Sequence, residues 1–232
     1  DAAATLCADV AIGLQSDFGT YSTGAYASHI PALLVDYFGY DKGAIHYDRY
    51  NFKNDQWASM IKSELDKKRP VLYTGFNNVS GHAFVLDGYT TNDYFSVNWG
   101  WGGYCNGYFL LDALEPQGSG LGGNDDHYNF YQGGVFGLIP DEGGEYIEKM
   151  GLWDHGITTN ATYFEVGVPF DVEVGMGNIG NTIFVGDLIL AKVDKDGKLV
   201  EELKGMSIGA NTDLKPGWGW NYDFLNETSN RV

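Results

Sequence analysis

The chain has 232 residues and a formal net charge of −17, and 44% of its residues are hydrophobic. This composition fits one large or two modest globular domains and argues against low-complexity disorder. A nucleic-acid partner is disfavoured because no basic patch is available to meet phosphates. No apolar run approaches the roughly 18 residues of a membrane span. The acidic residues are spread over both halves, which is typical of a solubilising surface.

Periodicity divides the first part of the chain into helices followed by strands. Apolar residues at helical spacing predict three helices: 2–12, 28–39 and 55–68. From Pro70 the period changes to that of strands, separated by glycine-rich turns. The predicted strands are 71–76, 83–89, 94–98, 108–111 and 134–139. Helices followed by an antiparallel sheet indicate an α+β domain over residues 1–140.

A second domain is predicted over residues 141–232. Residues 140–144 contain proline and paired glycines and resemble a linker. Beyond them apolar and polar residues alternate, which predicts an all-β sandwich of immunoglobulin-like size. Trp218 and Trp220 are expected to fill its core, and the alternative is that they bind a ligand at its surface.

One histidine and one asparagine stand out in the predicted sheet. His82 opens an apolar strand, Asn98 closes the next, and residues 89–93 predict the hairpin turn between them. This hairpin is expected to return Asn98 to the end where His82 lies. A base with an orienting amide beside it is half of a Cys–His–Asn catalytic site.

The neighbours of this pair suit a substrate cleft. Gly81 leaves room for another backbone to approach the histidine. Trp99 and Trp101, in a glycine-rich turn, are expected to line the cleft, and Trp99 to shield the histidine–asparagine bond from water.

Other chemistries find little support. The five histidines are scattered, so we predict no metal site, and no cofactor fingerprint is present. Neither cysteine is a convincing nucleophile, since a catalytic thiol usually lies at a helix N-terminus near a base. Cys7 falls inside an apolar helix, where burial is expected, and Cys105 falls in a turn that leads into a strand.

Residues 81–88 and 97–103 strongly resemble the streptopain family, the C10 cysteine peptidases of the papain-like superfamily. The likeness continues through residues 107–116, 118–123 and 128–132, and upstream through 8–12 and 17–19, so it spans nearly all of residues 1–140. The resemblance implies a partial papain-like fold and a cysteine endopeptidase that acts on protein substrates.

The resemblance also implies roles for particular residues. His82 matches the catalytic base, Asn98 the residue that orients it, and Trp99 the cleft tryptophan. Residues 19–28, including Ser22 and Gly24, match a segment that lines substrate subsites, and 118–131 match a loop near the cleft. The family further implies a bacterial enzyme, secreted or at the cell surface or periplasm, that is made as a zymogen with an inhibitory propeptide.

The family's nucleophile segment, of the type Gly-Cys-Val-Ala-Thr, is not present in these 232 residues. We therefore expect an upstream segment to supply the catalytic cysteine and the propeptide, and expect this chain alone to be catalytically incomplete. Three alternatives stay open. The chain is a non-catalytic binding or surface protein that reuses the fold, a carbohydrate- or protein-binding module centred on residues 145–232, or an acyltransferase on a papain-like scaffold.

Overall fold

A computed structural model of the chain describes residues 1–116, 127–165, 167–209, 214–216 and 218–228. The chain divides into two compact units, Asp1–Ile147 and Glu148–Val232. The sequence placed the boundary near residue 140, and the structure shows why the first unit extends further. The Asp41 carboxylate accepts hydrogen bonds from the backbone N–H groups of Glu142 and Gly144, so the expected linker is tied to the first unit.

The described part of the first unit contains the three predicted helices. They are α1 Ala2–Gly13, α2 Ile30–Phe38 and α3 Asn54–Asp66. Pro31 lies in the first turn of α2, where its missing N–H costs no hydrogen bond, and Gly39 ends that helix in the left-handed region. Ser28, the first residue of the predicted helix 28–39, lies in a short 3₁₀ turn before α2.

Helix α1 is confirmed, but its surroundings differ from the expectation. No residue of α1 is buried, and Cys7 is exposed. The expected burial of Cys7 is therefore wrong. An apolar sequence predicts a buried helix only when other elements cover it, and α1 packs mainly on α2 through contacts such as Gly13 with Leu33.

A six-stranded antiparallel sheet carries the core of the first unit, in the order β3–β8–β4–β5–β6–β7. A two-stranded hairpin, β1–β2, precedes it. The strands are β1 Asp17–Phe18, β2 Thr23–Gly24, β3 Ile45–Asp48, β4 Val71–Phe76, β5 Gly81–Tyr89, β6 Phe95–Asn98, β7 Gly107–Phe109 and β8 Phe130–Phe136. The predicted α+β architecture of helices with an antiparallel sheet is thus confirmed.

Helix α3 covers one face of this sheet. Trp57 and Ile61 are fully buried on it, as the helical spacing predicted, and Met60 and Leu65 are partly buried beside them. Burying a side chain of this size stabilises the fold by roughly 1.5–3 kcal/mol. The sheet residues of the same core alternate along their strands: Val71, Tyr73, Phe84, Leu86, Phe95 and Val97.

The second unit consists of strands in two sheets within its described residues. A three-stranded sheet has the order β13–β10–β9, and β11 pairs with β12. The strands are β9 Met150–Thr159, β10 Pro169–Asn178, β11 Gly186–Val193, β12 Leu199–Ile208 and β13 Gly219–Thr228. Both sheets contribute to one apolar cluster, made by Val172, Val174, Leu188, Ile208 and Leu214.

The two tryptophans singled out in the second unit have different outcomes. Trp218 is 58% exposed, and the Lys215 ammonium lies 5.7 Å from the centre of its ring. The expectation that Trp218 fills a core is therefore wrong. The side chain of Trp220 lies outside the described residues.

Candidate active site

The candidate site lies where β5 begins. His82 is the second residue of β5, and its side chain shares a face of the sheet with Phe84 and Leu86, which belong to the buried core. The imidazole is half-buried. His82 therefore sits at the end of the core-facing row of β5, close to apolar side chains.

A backbone carbonyl holds the imidazole. His82 Nε2 lies 2.8 Å from the carbonyl oxygen of Trp99. A carbonyl oxygen can only accept a hydrogen bond, so Nε2 must carry a proton. Nδ1 has no hydrogen-bond partner among the residues that the structure describes. The neutral ring is then the Nε2–H tautomer, in which Nδ1 carries a lone pair and no proton.

Four aromatic rings surround the imidazole. Trp101 is the nearest, with its ring 4.9 Å from the imidazole centre and tilted by 25°. The ring centres of Tyr128, Phe84 and Trp99 lie at 5.4, 6.0 and 6.2 Å. Such surroundings restrict the rotamers of His82 and lower the local dielectric, which strengthens interactions between charges at this position.

The structure separates Asn98 from His82. Asn98 pairs with Val85 in the β5–β6 ladder, because the register shifts at Asp87, between Leu86 and Gly88. Paired residues point to the same face of the sheet, so the Asn98 side chain is on the face of Val85. The His82 side chain is on the opposite face. Asn98 is exposed, and its Oδ1 accepts a hydrogen bond of 3.0 Å from the Gly100 N–H. The orienting role of Asn98 stays a prediction.

The turn after β6 positions the two tryptophans. The Trp99 N–H donates to the Asn106 side-chain oxygen at 3.0 Å, and Gly100 and Gly102 adopt positive φ angles of 77° and 64°. These angles favour glycine, which explains the Gly-rich pattern of the turn. Trp99 is fully buried, and its indole N–H has no partner among the described residues.

The residues predicted to contact substrate fall into two groups. Gly81 and Trp101 lie beside His82, and a side chain on Gly81 would meet the Phe76 ring at 2.6 Å. Ser22 and Gly24 lie in the exposed β1–β2 hairpin, where the Ser22 carbonyl accepts the Gly19 N–H. Their assignment to substrate subsites stays a prediction. Residues 118–126 of the predicted cleft loop lie outside the described part of the chain.

Sequence reasoning named Tyr128 only as part of a loop near the cleft, and it missed two other contributors to this site, the Trp99 carbonyl and Gly75. Gly75 pairs directly with His82 across β4 and β5. A Cβ atom at position 75 would lie 2.2 Å from the Tyr128 carbonyl oxygen. A glycine inside an otherwise apolar strand is the signal that could have revealed this close backbone approach.

A buried polar network lies behind Tyr128. The Trp57 indole N–H donates to the Tyr73 hydroxyl at 2.8 Å, and that hydroxyl donates to Gln132 Oε1 at 2.7 Å. Arg49 also donates to Gln132 Oε1, at 2.6 Å. Burial raises the pKa of Tyr73 far above its usual range, so the phenol stays protonated and can act as this donor.

The cysteines and histidines form no further site among the described residues. Cys7 and Cys105 are both present as thiols, and no group of three metal-binding side chains was found in the part of the chain that the structure describes. Cys105 packs against the core in the turn after Trp101, with a positive φ of 60°. No helix in the described residues is long and apolar enough to cross a membrane.

Comparison with known proteins agrees with the resemblance seen in the sequence. The family model of the peptidase C10 family matches residues 1–109. Streptopain from Streptococcus pyogenes is 42% identical over 135 residues, which cover 58% of this chain and 34% of streptopain. The thiol protease/hemagglutinin PrtT from Porphyromonas gingivalis is 36% identical over 139 residues, which cover 60% of this chain and 16% of that protein.

Solved structures were also found. Active interpain A cysteine protease from Prevotella intermedia has 33% sequence identity and a TM-score of 0.49, covering 58% of this chain and 55% of that chain. A prointerpain A fragment from the same organism has 34% identity and a TM-score of 0.47, covering 58% and 41%. The chain spans about a third of the length of the streptopain relatives that it matches. In its first 109 residues the chain is therefore similar to the peptidase C10 family, and the relatives that match this region are cysteine peptidases.

Proposed function

We propose that this chain forms the base-bearing part of a cysteine endopeptidase that hydrolyses peptide bonds of proteins. His82 is the general base and acid, and a cysteine from an upstream segment is the nucleophile. The observation that carries the proposal is the hydrogen bond from His82 Nε2 to the Trp99 carbonyl, at 2.8 Å. It leaves Nδ1 as the nitrogen that exchanges a proton with the thiol.

The chemistry follows from this assignment. Nδ1 takes the proton of the cysteine thiol, and the resulting thiolate attacks the scissile carbonyl carbon. The imidazolium then gives its proton to the leaving amine, and an acyl-enzyme remains. His82 next removes a proton from water, which attacks the acyl carbon and releases the thiolate. Trp101, nearly parallel to the imidazole at 4.9 Å, stabilises the imidazolium through its ring face.

The orientation of His82 has two candidates in this proposal. The Trp99 carbonyl contacts the ring directly, whereas Asn98 acts through the turn that it closes at Gly100. We assign the main orienting contact to the carbonyl. Asn98 then supports the turn that presents this carbonyl to His82.

The substrate is proposed to run past the start of β5. Gly81 and Trp101 border His82, and we assign them to substrate contact there. Ser22 and Gly24 are assigned to a second segment of the cleft, in a hairpin whose side chains are exposed. The exposure of these positions supports contact with a peptide, because their polar groups remain accessible.

The remaining parts of the proposal concern architecture and setting. Residues 1–140 form part of a papain-like fold, and the second unit forms an immunoglobulin-like sandwich. Two sheets that share one apolar cluster support the sandwich. The relatives from Streptococcus pyogenes and Porphyromonas gingivalis support a bacterial source. From the family resemblance we further propose that the peptidase is secreted or held at the cell surface or periplasm and is made with a propeptide.

A second candidate function concerns the second unit alone. Trp218 is exposed and lies beside Lys215, an arrangement that suits a carbohydrate or protein ligand. In this alternative the chain is a binding or surface protein that reuses the peptidase fold. Loss of ligand binding by the full chain in Trp218→Ala, with thermal stability unchanged, would favour it.

The test of the main proposal is His82→Ala in a preparation where this chain is joined to the thiol-bearing segment. Hydrolysis of a protein substrate should fall by about 10²–10⁴ in kcat, while thermal unfolding stays close to wild type. His29→Ala, at an exposed position, is the control and should retain activity. Turnover within a few fold of wild type in His82→Ala would reject His82 as the base.

A further inference from the structure

Three of the four rings around His82 come from its own hairpin and the turn that follows it. Tyr128 is different, since it reaches the imidazole from residues that immediately precede β8. Tyr128 is only 1% exposed and its ring centre lies 5.4 Å from the imidazole, tilted by 42°. Its position relative to His82 is therefore set by tertiary contacts rather than by the hairpin.

Gly75 makes the room that Tyr128 occupies. It pairs with His82 in the β4–β5 ladder, so a side chain at position 75 would point to the same face as the imidazole. That side chain would begin 2.2 Å from the Tyr128 carbonyl oxygen and 2.9 Å from its Cβ. Tyr128 thus takes the place beside His82 that any larger residue at position 75 would fill.

Buried hydrogen bonds hold the Tyr128 backbone in that place. The Tyr128 N–H donates to the Leu114 carbonyl at 2.9 Å. Its carbonyl accepts from Gln132 Nε2 at 3.2 Å, and the same amide group donates to the Leu111 carbonyl at 2.7 Å. Gln132 is 4% exposed and its Oε1 accepts from Tyr73 and Arg49, so its amide is fixed at both ends.

We propose that Tyr128 is a positioning residue for the His82 imidazole, seated by Gly75 and by the Gln132 amide. Its ring blocks rotamers of His82 that would take Nε2 away from the Trp99 carbonyl. The catalytic consequence rests on the proposed peptidase function, but the effect on the ring is a property of this chain alone. Gly75 and Gln132 act only through Tyr128.

The experiment is nuclear magnetic resonance of the 232-residue chain with labelled histidine. Long-range ¹H–¹⁵N correlations report the tautomer of His82, and cross-relaxation between the Tyr128 and His82 ring protons reports their contact. In the wild type we expect the Nε2–H tautomer and a measurable contact. In Tyr128→Leu we expect the two nitrogen shifts to approach each other, because the tautomers average once the ring is released.

Two variants separate positioning from general effects. Tyr128→Phe keeps the ring and should restore the wild-type tautomer. Tyr131→Leu removes a tyrosine three residues away that is 80% exposed and contacts Phe76, and it should leave His82 unchanged. If Tyr128→Leu does not fold, Tyr128→Met is used instead, because methionine fills more of the space without a ring. The tautomer of His82 is then measured in that variant.

Two results would overturn the proposal. One is the absence of cross-relaxation between Tyr128 and His82 in the folded wild type. The other is an unchanged Nε2–H tautomer in a folded variant that lacks the ring. In the assembled peptidase, Tyr128→Leu should lower kcat by about tenfold or more with little change in KM. If the wild-type assembly has no peptidase activity, the proposed function is rejected. The tautomer measurement still tests whether Tyr128 positions His82.

Discussion

His82 and Trp99 are joined through a side-chain nitrogen and a backbone oxygen, 2.8 Å apart. Because the acceptor belongs to the backbone, no substitution of the Trp99 side chain removes it directly. The carbonyl depends instead on the turn after β6, where Asn98 and Asn106 side chains accept backbone N–H groups. The protonation pattern of His82 therefore depends on the conformation of this turn.

The first prediction concerns Asn98. Asn98→Ala removes the hydrogen bond to the Gly100 N–H and loosens the turn, but it deletes neither the Trp99 carbonyl nor any of the four rings. In the assembled peptidase we expect kcat to fall by about tenfold or less, well short of the loss in His82→Ala. Steady-state kinetics on one protein substrate measure both variants. Equal losses in the two variants would assign the main orienting contact to Asn98.

The second prediction concerns the buried network around Tyr73. Tyr73→Phe removes the hydroxyl that accepts from the Trp57 indole and donates to Gln132, leaving a fully buried indole N–H without an acceptor. We expect a loss of about 1–3 kcal/mol in the free energy of unfolding, measured by denaturant titration.

Tyr108→Phe is the matched control for Tyr73→Phe. It deletes the same hydroxyl at a position on β7 that is largely exposed, and its unfolding free energy should stay within about 0.5 kcal/mol of wild type. A Tyr73→Phe chain as stable as this control would show that the network contributes nothing measurable.

The third prediction concerns Asp41, which fastens residues 142–144 to the first unit. Backbone N–H groups of Gly43, Glu142 and Gly144 hold the pKa of its carboxyl below its usual range. The stabilisation from the ionised form is therefore complete above about pH 4 and is lost as pH falls through the folded-state pKa. Asp41→Asn should lower the midpoint of thermal unfolding at neutral pH, and the difference from wild type should shrink in acid.

The control for Asp41 is Asp141→Asn. Asp141 is exposed and its carboxylate accepts one local N–H, from Gly143. We expect its unfolding midpoint to follow that of the wild type at every pH. If the difference in unfolding midpoint between wild type and Asp41→Asn stays constant down to about pH 2, the charge of Asp41 does not stabilise the fold.

The fourth prediction concerns His46, on β3 against Gly133. Burial lowers the pKa of this imidazole, and the nearby Asp48 carboxylate opposes the shift. Below about pH 6.5 the unfolded chain takes up the proton first, so stability should fall as pH drops from there towards the folded-state pKa. Below the folded-state pKa, His46 contributes no further change of stability with pH.

Thermal unfolding of His46→Gln against wild type between about pH 7 and pH 5 measures this slope. The unfolding midpoint of His46→Gln should fall less over this pH range than that of the wild type, because the glutamine side chain does not titrate. His29→Gln changes an exposed histidine and should retain the wild-type profile. Identical profiles for His46→Gln and wild type would contradict the prediction.

Most of the architecture of the first unit could be predicted from local patterns. The three helices and the strands from β4 to β8 follow from apolar periodicity. Gly100 and Gly102 predict the turn after β6, and in the structure both adopt the positive φ angles that favour glycine. Whether Cys7 and Trp218 are buried or exposed could not be predicted, because burial depends on which other elements cover a residue. The exposure of both follows from the packing of their units.

The sequence by itself determined that His82 opens an apolar strand and that Trp99 and Trp101 follow the next one, because these features depend on neighbouring residues. Only the tertiary structure decided which group meets the imidazole. A register shift at Asp87 turns Asn98 to the opposite face, and the missing side chain of Gly75 admits Tyr128. Ladder register and contacts between distant segments arise from packing across the whole sheet, which periodicity along one strand does not encode.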